Sequence, residues 1–112
     1  MAQKIKLSSK IEKEVLDYVH ILKRDKLPLK RVIVFGSYAK GVQHKWSDID
    51  VCLVSSKFQD KLKAFAYLLK KANEAQSRIE PHPFHPNDFV NEDPLVWEIK
   101  KDGIEVETVE KH

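Results

Sequence analysis

Four consecutive apolar side chains, Val32-Ile33-Val34-Phe35, closed by Gly36, constrain this chain more than any other feature. A run without polar alternation predicts a central strand covered on both faces. The fold must therefore place material on either side of a sheet. A second strand follows over Asp48 to Val54. Its alternation puts Ile49, Val51 and Leu53 on one face, and Asp48 and Asp50 on the other.

Helical patterns alternate with these strands. Residues 8 to about 26 read as a helix, with Ser9 and Glu12 at capping-box spacing and Ile11, Val15, Val19 and Leu22 on one face. The helix should stop before Pro28. A second helix is expected from about Phe58 to Asn73, capped by Ser55 or Ser56, with an apolar stripe of Phe58, Leu62, Phe65, Leu69 and Ala72. Arg78 to Phe84 reads as a third strand, which Pro81 and Pro83 make irregular or edge-like. Asn87 starts a short helical turn. Asp93 caps a last helix with Pro94 at its first position, ending near Asp102–Gly103, and Ile104 to Val106 form a short final strand. The expected fold class is α/β (α+β), a mixed β-sheet with helices packed mainly on one face.

At 112 residues the chain suits one domain over 1–112, too small to add a separate substrate-recognition domain. The net charge of +3 is compatible with an anionic ligand without predicting nucleic-acid binding. Cys52, the single cysteine, excludes an internal disulfide and a cysteine-based zinc cluster, and reads as a buried apolar residue. The N-terminus shows no apolar leader and no apolar run is long enough to span a membrane, so a cytoplasmic protein is expected.

Three features close together carry the chemistry. Gly36-Ser37 stands where the buried strand ends, so backbone N–H groups and the Ser37 hydroxyl can meet phosphate oxygens. Lys40-Gly41 adds a positive charge and a second backbone turn. Ser47-Asp48-Ile49-Asp50 opens the next strand. Carboxylates two residues apart on a strand share a face, about 7 Å apart along it. They repel unless a cation lies between them, and magnesium prefers carboxylate and phosphate oxygens. An isolated Asp-x-Asp would read as a solvated strand end; the glycine–serine loop before it reverses that. A Walker-type loop does not fit, because Gly41 is followed by Val42-Gln43.

The stretch Gly36-Ser37-Tyr38-Ala39-Lys40-Gly41, five linking residues, then Ser47-Asp48-Ile49-Asp50-Val51 resembles the motif of the DNA polymerase beta-like nucleotidyltransferase superfamily. Within it, the short chain resembles the minimal nucleotidyltransferase (MNT) proteins of bacteria and archaea. The resemblance implies a nucleotidyltransferase fold, with Gly36 and Ser37 on the nucleotide phosphates and Asp48 and Asp50 as metal ligands. Lys40 and Ser47 are further candidates for nucleotide binding. A third acid is expected from a following strand, and Glu80 is the candidate, although the family more often has aspartate there. Magnesium, as two ions, is the implied cofactor, with manganese as an alternative.

The implied activity is transfer of a nucleoside monophosphate, AMP from ATP foremost, to a hydroxyl. Proteins of this kind act as antitoxins beside a helical HEPN-domain toxin, some by adding AMP to its tyrosine, which would make the partner the substrate. Two rivals stand beside this. One is a catalytically weak nucleotide-binding module that neutralises a partner by complex formation. The other is a small-molecule, antibiotic-type nucleotidyltransferase that completes its acceptor site by homo-oligomerisation.

Other residues are weighed against plainer roles. His44, His82 and His85 do not have zinc-site spacing, and His82 is better placed as a pocket lining, two residues from Glu80 on one strand face. Trp46 is a lid, a partner contact or packing beneath the loop. Trp97 is expected in the core, and Tyr38 as a hydrogen-bonding or anchoring residue of the loop. Lys23, Arg24, Lys26, Lys30 and Arg31 read as a solvated basic connection.

Overall fold

A computed structural model describes residues 7–43 and 47–106. The elements run α1 (Ser9–Arg24), β1 (Leu29–Phe35), α2 (Ser37–Lys40), β2 (Ile49–Ser55), α3 (Lys61–Glu74), β3 (Ile79–Phe84), a 3-10 turn (Pro86–Asp88), α4 (Pro94–Asp102) and β4 (Ile104–Glu105). The strands form one mixed sheet in the order β3-β2-β1-β4. β1 pairs antiparallel with β2 and β4, whereas β2 and β3 run parallel, as the α3 crossover between them allows. β3 lies at the sheet edge, where Pro81 and Pro83 remove backbone donors at little cost.

The apolar run of β1 faces two layers. Val32 and Val34 join Ile49, Val51 and Leu53 of β2 under α1 and α3. Ile33 and Phe35 join Cys52, Val54 and Phe84 under Val96 and Ile99 of α4. The first layer is the larger, and in it Val15, Tyr18, Leu22, Leu53 and Leu68 are fully buried. Burial pushes the Tyr18 hydroxyl's pKa up, and that hydroxyl donates to the Leu68 carbonyl at 2.8 Å, linking α1 to α3. Helices thus lie mainly on one face, with α4 covering part of the other.

Several boundaries differ from expectation for local reasons. The cap of α1 is Ser8, whose Oγ accepts from Ile11 N–H at 3.2 Å; Ser9 is already helical, so its box with Glu12 does not form. The cap of α3 is Asp60, accepting from Lys63 N–H at 3.1 Å, while the Ser55 hydroxyl accepts from Lys57 in the preceding turn. The stripe on α3 is also rotated. Ala64, Leu68 and Ala72 face the sheet, while Leu62 is 81% exposed and Phe65 is partly exposed. Both α1 and α3 end in the same six-to-one motif, Leu27 N–H to Leu22 O and Ser77 N–H to Ala72 O. Lys26 and Gln76 supply the left-handed residue, with φ of 65° and 54°. Asp93 caps α4 as expected, accepting from Leu95 N–H at 2.9 Å.

The basic connection after α1 is more structured than a solvated tether. Asp25 accepts from Tyr67 Oη at 2.7 Å and pairs with Lys71 at 3.0 Å. The Tyr67 hydrogen bond, then that of Lys71, holds its carboxyl below the usual carboxylate range. Arg31 reaches Glu105 with two nitrogens, at 2.8 and 3.0 Å, fastening β1 to the short β4.

Candidate metal and nucleotide site

The parallel register of β2 and β3 builds the site. It sets Asp50 beside Glu80 and Cys52 beside His82. Residues paired across parallel strands point the same way, and Glu80 and His82, two apart, share that face. Asp50, Glu80 and His82 each offer a ligand atom, and these atoms lie within 4.8 Å of one another. His82 Nε2 stands 3.1 Å from Asp50 Oδ1 and 3.8 Å from Glu80 Oε2. All three side chains are partly exposed. They therefore keep access to solvent and to a ligand while their polar ends converge.

β1 supplies the next wall. Phe35 pairs with Asp50 from the opposite side, and its ring meets His82 edge-on at 4.8 Å between centroids. Gly36 follows with φ 75° and ψ −149°, a conformation that disfavours a side chain. A Cβ there would collide with Asp50 Oδ2. The glycine therefore lets the backbone pass directly beside the carboxylate.

α2 then starts at Ser37 and closes at Gly41, which adopts φ 72°. The partly exposed Ser37 and the first-turn N–H groups of α2 follow directly on Gly36, whose backbone passes Asp50. Those groups have no acceptor inside the helix, as in any helix start. Tyr38 is buried, and its hydroxyl donates to the Ser47 carbonyl at 3.4 Å. It thereby anchors the loop end that leads into β2. Arg78 Nη1 donates to the same carbonyl at 3.4 Å.

The remaining candidates fall as follows. Asp48 is exposed, just ahead of β2, and is outside the three-residue cluster. Ser47 is buried. Lys40 is exposed, with Nζ 4.0 Å from Glu98 Oε2 on α4. His85 caps the 3-10 turn, its Nδ1 accepting from Asn87 N–H at 3.0 Å. Trp97 is not a core residue. Val96 and Ile99 take the inward face of α4, leaving Trp97 55% exposed beneath the Lys101 ammonium. His44 and Trp46 lie outside the described residues.

Two features went unread in the sequence. The approach of His82 to Asp50 depends on register, and only its shared face with Glu80 was visible. A groove of about 550 Å³ also runs from the cluster along β3, α3 and the start of α4. It is lined by Glu80 and His82 together with Leu62, Phe65 and Leu95. The rotated α3 stripe is what supplies those apolar walls.

Two carboxylates and an imidazole converging at this spacing form a donor set that fits a divalent cation. Among the described residues, no helix is long and apolar enough to cross a membrane.

Comparison with known proteins bears on the fold and the family. The chain is 33% identical over 60 residues to the protein adenylyltransferase MntA of Shewanella oneidensis. That segment is 53% of this chain and 43% of MntA, so the chain spans under half of the relative it matches. The crystal structure of a toxin–antitoxin with AMP-PNP superposes with a TM-score of 0.60 at 23% identity, over 88% of this chain and 73% of that one. A complex of tri-AMPylated Shewanella oneidensis HEPN toxin with MNT antitoxin gives a TM-score of 0.53 at 23% identity, over 86% and 73%. At these identities the two structures establish a shared fold. The family model described as Nucleotidyltransferase domain matches residues 8–110, nearly the whole chain. The chain belongs to that nucleotidyltransferase domain family.

Proposed function

We propose that this chain is a divalent-metal-dependent nucleotidyltransferase that moves AMP from ATP to a hydroxyl of a helical HEPN partner, and so serves as an antitoxin in the cytoplasm. The observation carrying this reading is the pairing of Asp50 with Glu80 across β2 and β3, beside the Gly36–Ser37 turn. Support for the acceptor comes from the relative, a protein adenylyltransferase, and from the fold shared with toxin–antitoxin complexes.

In this reading Asp48, Asp50 and Glu80 hold magnesium, as two ions. A metal held there would supply positive charge against the phosphates and would lower the pKa of the acceptor hydroxyl. Gly36 and Ser37 receive the phosphates on the backbone and the serine hydroxyl, while Lys40 and Ser47 flank the triphosphate. The acceptor oxygen attacks the α-phosphorus. The bond to the bridging oxygen breaks, and pyrophosphate leaves. Glu80, the most exposed of the clustered groups, acts as ligand or takes the acceptor's proton. The groove beside it receives the partner segment that carries the hydroxyl, because Glu80 and His82 line it together with the exposed Leu62 and Phe65.

The test is incubation with ATP labelled at the α-phosphorus, magnesium and a candidate HEPN partner. Label should appear on the partner and disappear with Asp50→Asn or Glu80→Gln. Neutralisation of the partner that survives both substitutions would move the function from catalysis to complex formation.

A further inference from the structure

We propose that His82 is itself a metal ligand, and that it tilts the site toward a transition ion such as Mn²⁺ over Mg²⁺. This rests on the metal-site reading above and deepens it.

The spacing of the donor atoms is the first argument. Adjacent ligands around an octahedral ion with bonds near 2.1 Å stand about 3 Å apart, and opposite ligands about 4.2 Å. His82 Nε2 lies 3.1 Å from Asp50 Oδ1, the length of one such edge, and 3.8 Å from Glu80 Oε2, between edge and diagonal. All three ligand atoms lie within 4.8 Å of one another, so one ion can be shared by them once the widest pair closes toward the diagonal.

The setting of the ring is the second. His82 lies on β3 opposite Cys52, one row along the sheet from the Asp50–Glu80 pair, and all three face the same side. The Phe35 ring abuts its imidazole edge-on. One side of the ring is thus held by packing while its polar end stays accessible, as suits a ligand that contributes affinity.

Ligand chemistry gives the direction of the effect. Magnesium favours a shell of oxygens and keeps several waters, whereas imidazole suits transition ions; manganese is the mildest of these, also at home among oxygens, and serves as the spectroscopic probe. A site of two carboxylates and an imidazole should distinguish Mn²⁺ from Mg²⁺ more strongly than the same carboxylates alone. The preference then belongs to Glu80-x-His82, not to the Asp-x-Asp motif.

Mn²⁺ binding to the full chain, with pulsed electron paramagnetic resonance of the bound ion, tests this without turnover. The expected result is ¹⁴N modulation from a directly coordinated imidazole, lost in His82→Gln. Mn²⁺ affinity should fall roughly tenfold in that variant, while Mg²⁺ affinity changes by less than about twofold. Mn²⁺ bound through Asp50 without nitrogen modulation would overturn the proposal, and the wild-type spectrum alone decides this if the variant folds poorly. Equal losses for the two ions would also overturn it, leaving His82 only a hydrogen-bond partner of Asp50. Asp50→Asn separates the layers of the argument: Mn²⁺ binding indifferent to it would remove the metal-site reading itself.

Discussion

The two faces of β2 are put to different uses. Toward α1 and α3, Ile49, Val51 and Leu53 sit in the larger apolar layer beneath two long helices. Toward α4, the strand opens with Asp50 and only then turns apolar, with Cys52 and Val54. Asp50 has Gly36 on one side and Glu80 and His82 on the other. A carboxylate close to another carboxylate favours separation unless a cation offsets the repulsion. One face therefore supplies most of the burial that holds the sheet, and the other carries a polar cluster that burial alone does not explain. Because side chains alternate along one strand, the two roles are only one residue apart.

The sharpest break in this comparison is expected from paired substitutions. Asp50→Asn should lower AMP transfer by roughly 10²–10³-fold, the scale of losing one transition-state electrostatic contact, with the melting temperature unchanged or slightly raised. Leu68→Ala, from the opposite layer, should cost about 2–5 kcal/mol in denaturant unfolding and leave metal affinity intact in the folded fraction. If the first variant unfolds, or the second loses metal affinity while folded, the division between the faces fails.

Gly36→Ala tests how closely the backbone must pass the cluster. The added Cβ collides with Asp50 Oδ2, and φ 75° disfavours alanine. Loss of about 1–3 kcal/mol is expected, together with weaker Mn²⁺ binding by titration.

Both layers hold a buried titratable group, and alkaline pH reads that burial. Burial pushes the Cys52 thiol from 9.0 up to about 12, and burial also raises Tyr18. The folded thiol keeps its proton where the unfolded one loses it. Its contribution is full below pH 9.0 and is lost as pH rises toward about 12. The fall should approach about 1.4 kcal/mol per pH unit for each such group. Unfolding curves across that range should show it, with a shallower slope in Cys52→Ala.

The smallest effect concerns neither face. Lys26 holds φ 65° at the end of α1, so Lys26→Gly should raise stability by about 0.5–1 kcal/mol with activity unchanged.

What the sequence made legible follows the same division. The alternation of Ile49, Val51 and Leu53 against Asp50 is a local pattern, as is the Asp93-Pro94 helix start, and both appear in the structure. The turn at Gly36 was also readable, because a glycine closing an apolar run has few other uses. The face of α3 was legible only in part, since Phe58 and Ala72 of the expected stripe are buried and Leu62 and Phe65 are not. Leu62, Phe65 and Leu69 are as periodic as Ala64 and Leu68, but Ala64 beside Ala72 permits close packing on the sheet. The ends of α1 and α3 carried no glycine signal, since Lys26 and Gln76 take the left-handed position. Glu80 could be nominated from its place on a third strand. Its approach to Asp50, and that of His82, depend on a parallel register set across the α3 crossover, which no local window contains.

The central claim is that β2 and β3 together make a metal site beside the Gly36–Ser37 turn. A crystal structure of the chain with Mn²⁺ and a non-hydrolysable ATP analogue tests it most directly, using the anomalous signal of the metal. The account predicts manganese bound by Asp50 and Glu80, with the phosphates against Gly36 and Ser37. Manganese at other side chains, or phosphates bound away from that turn while Asp50 and Glu80 keep only solvent, would contradict it.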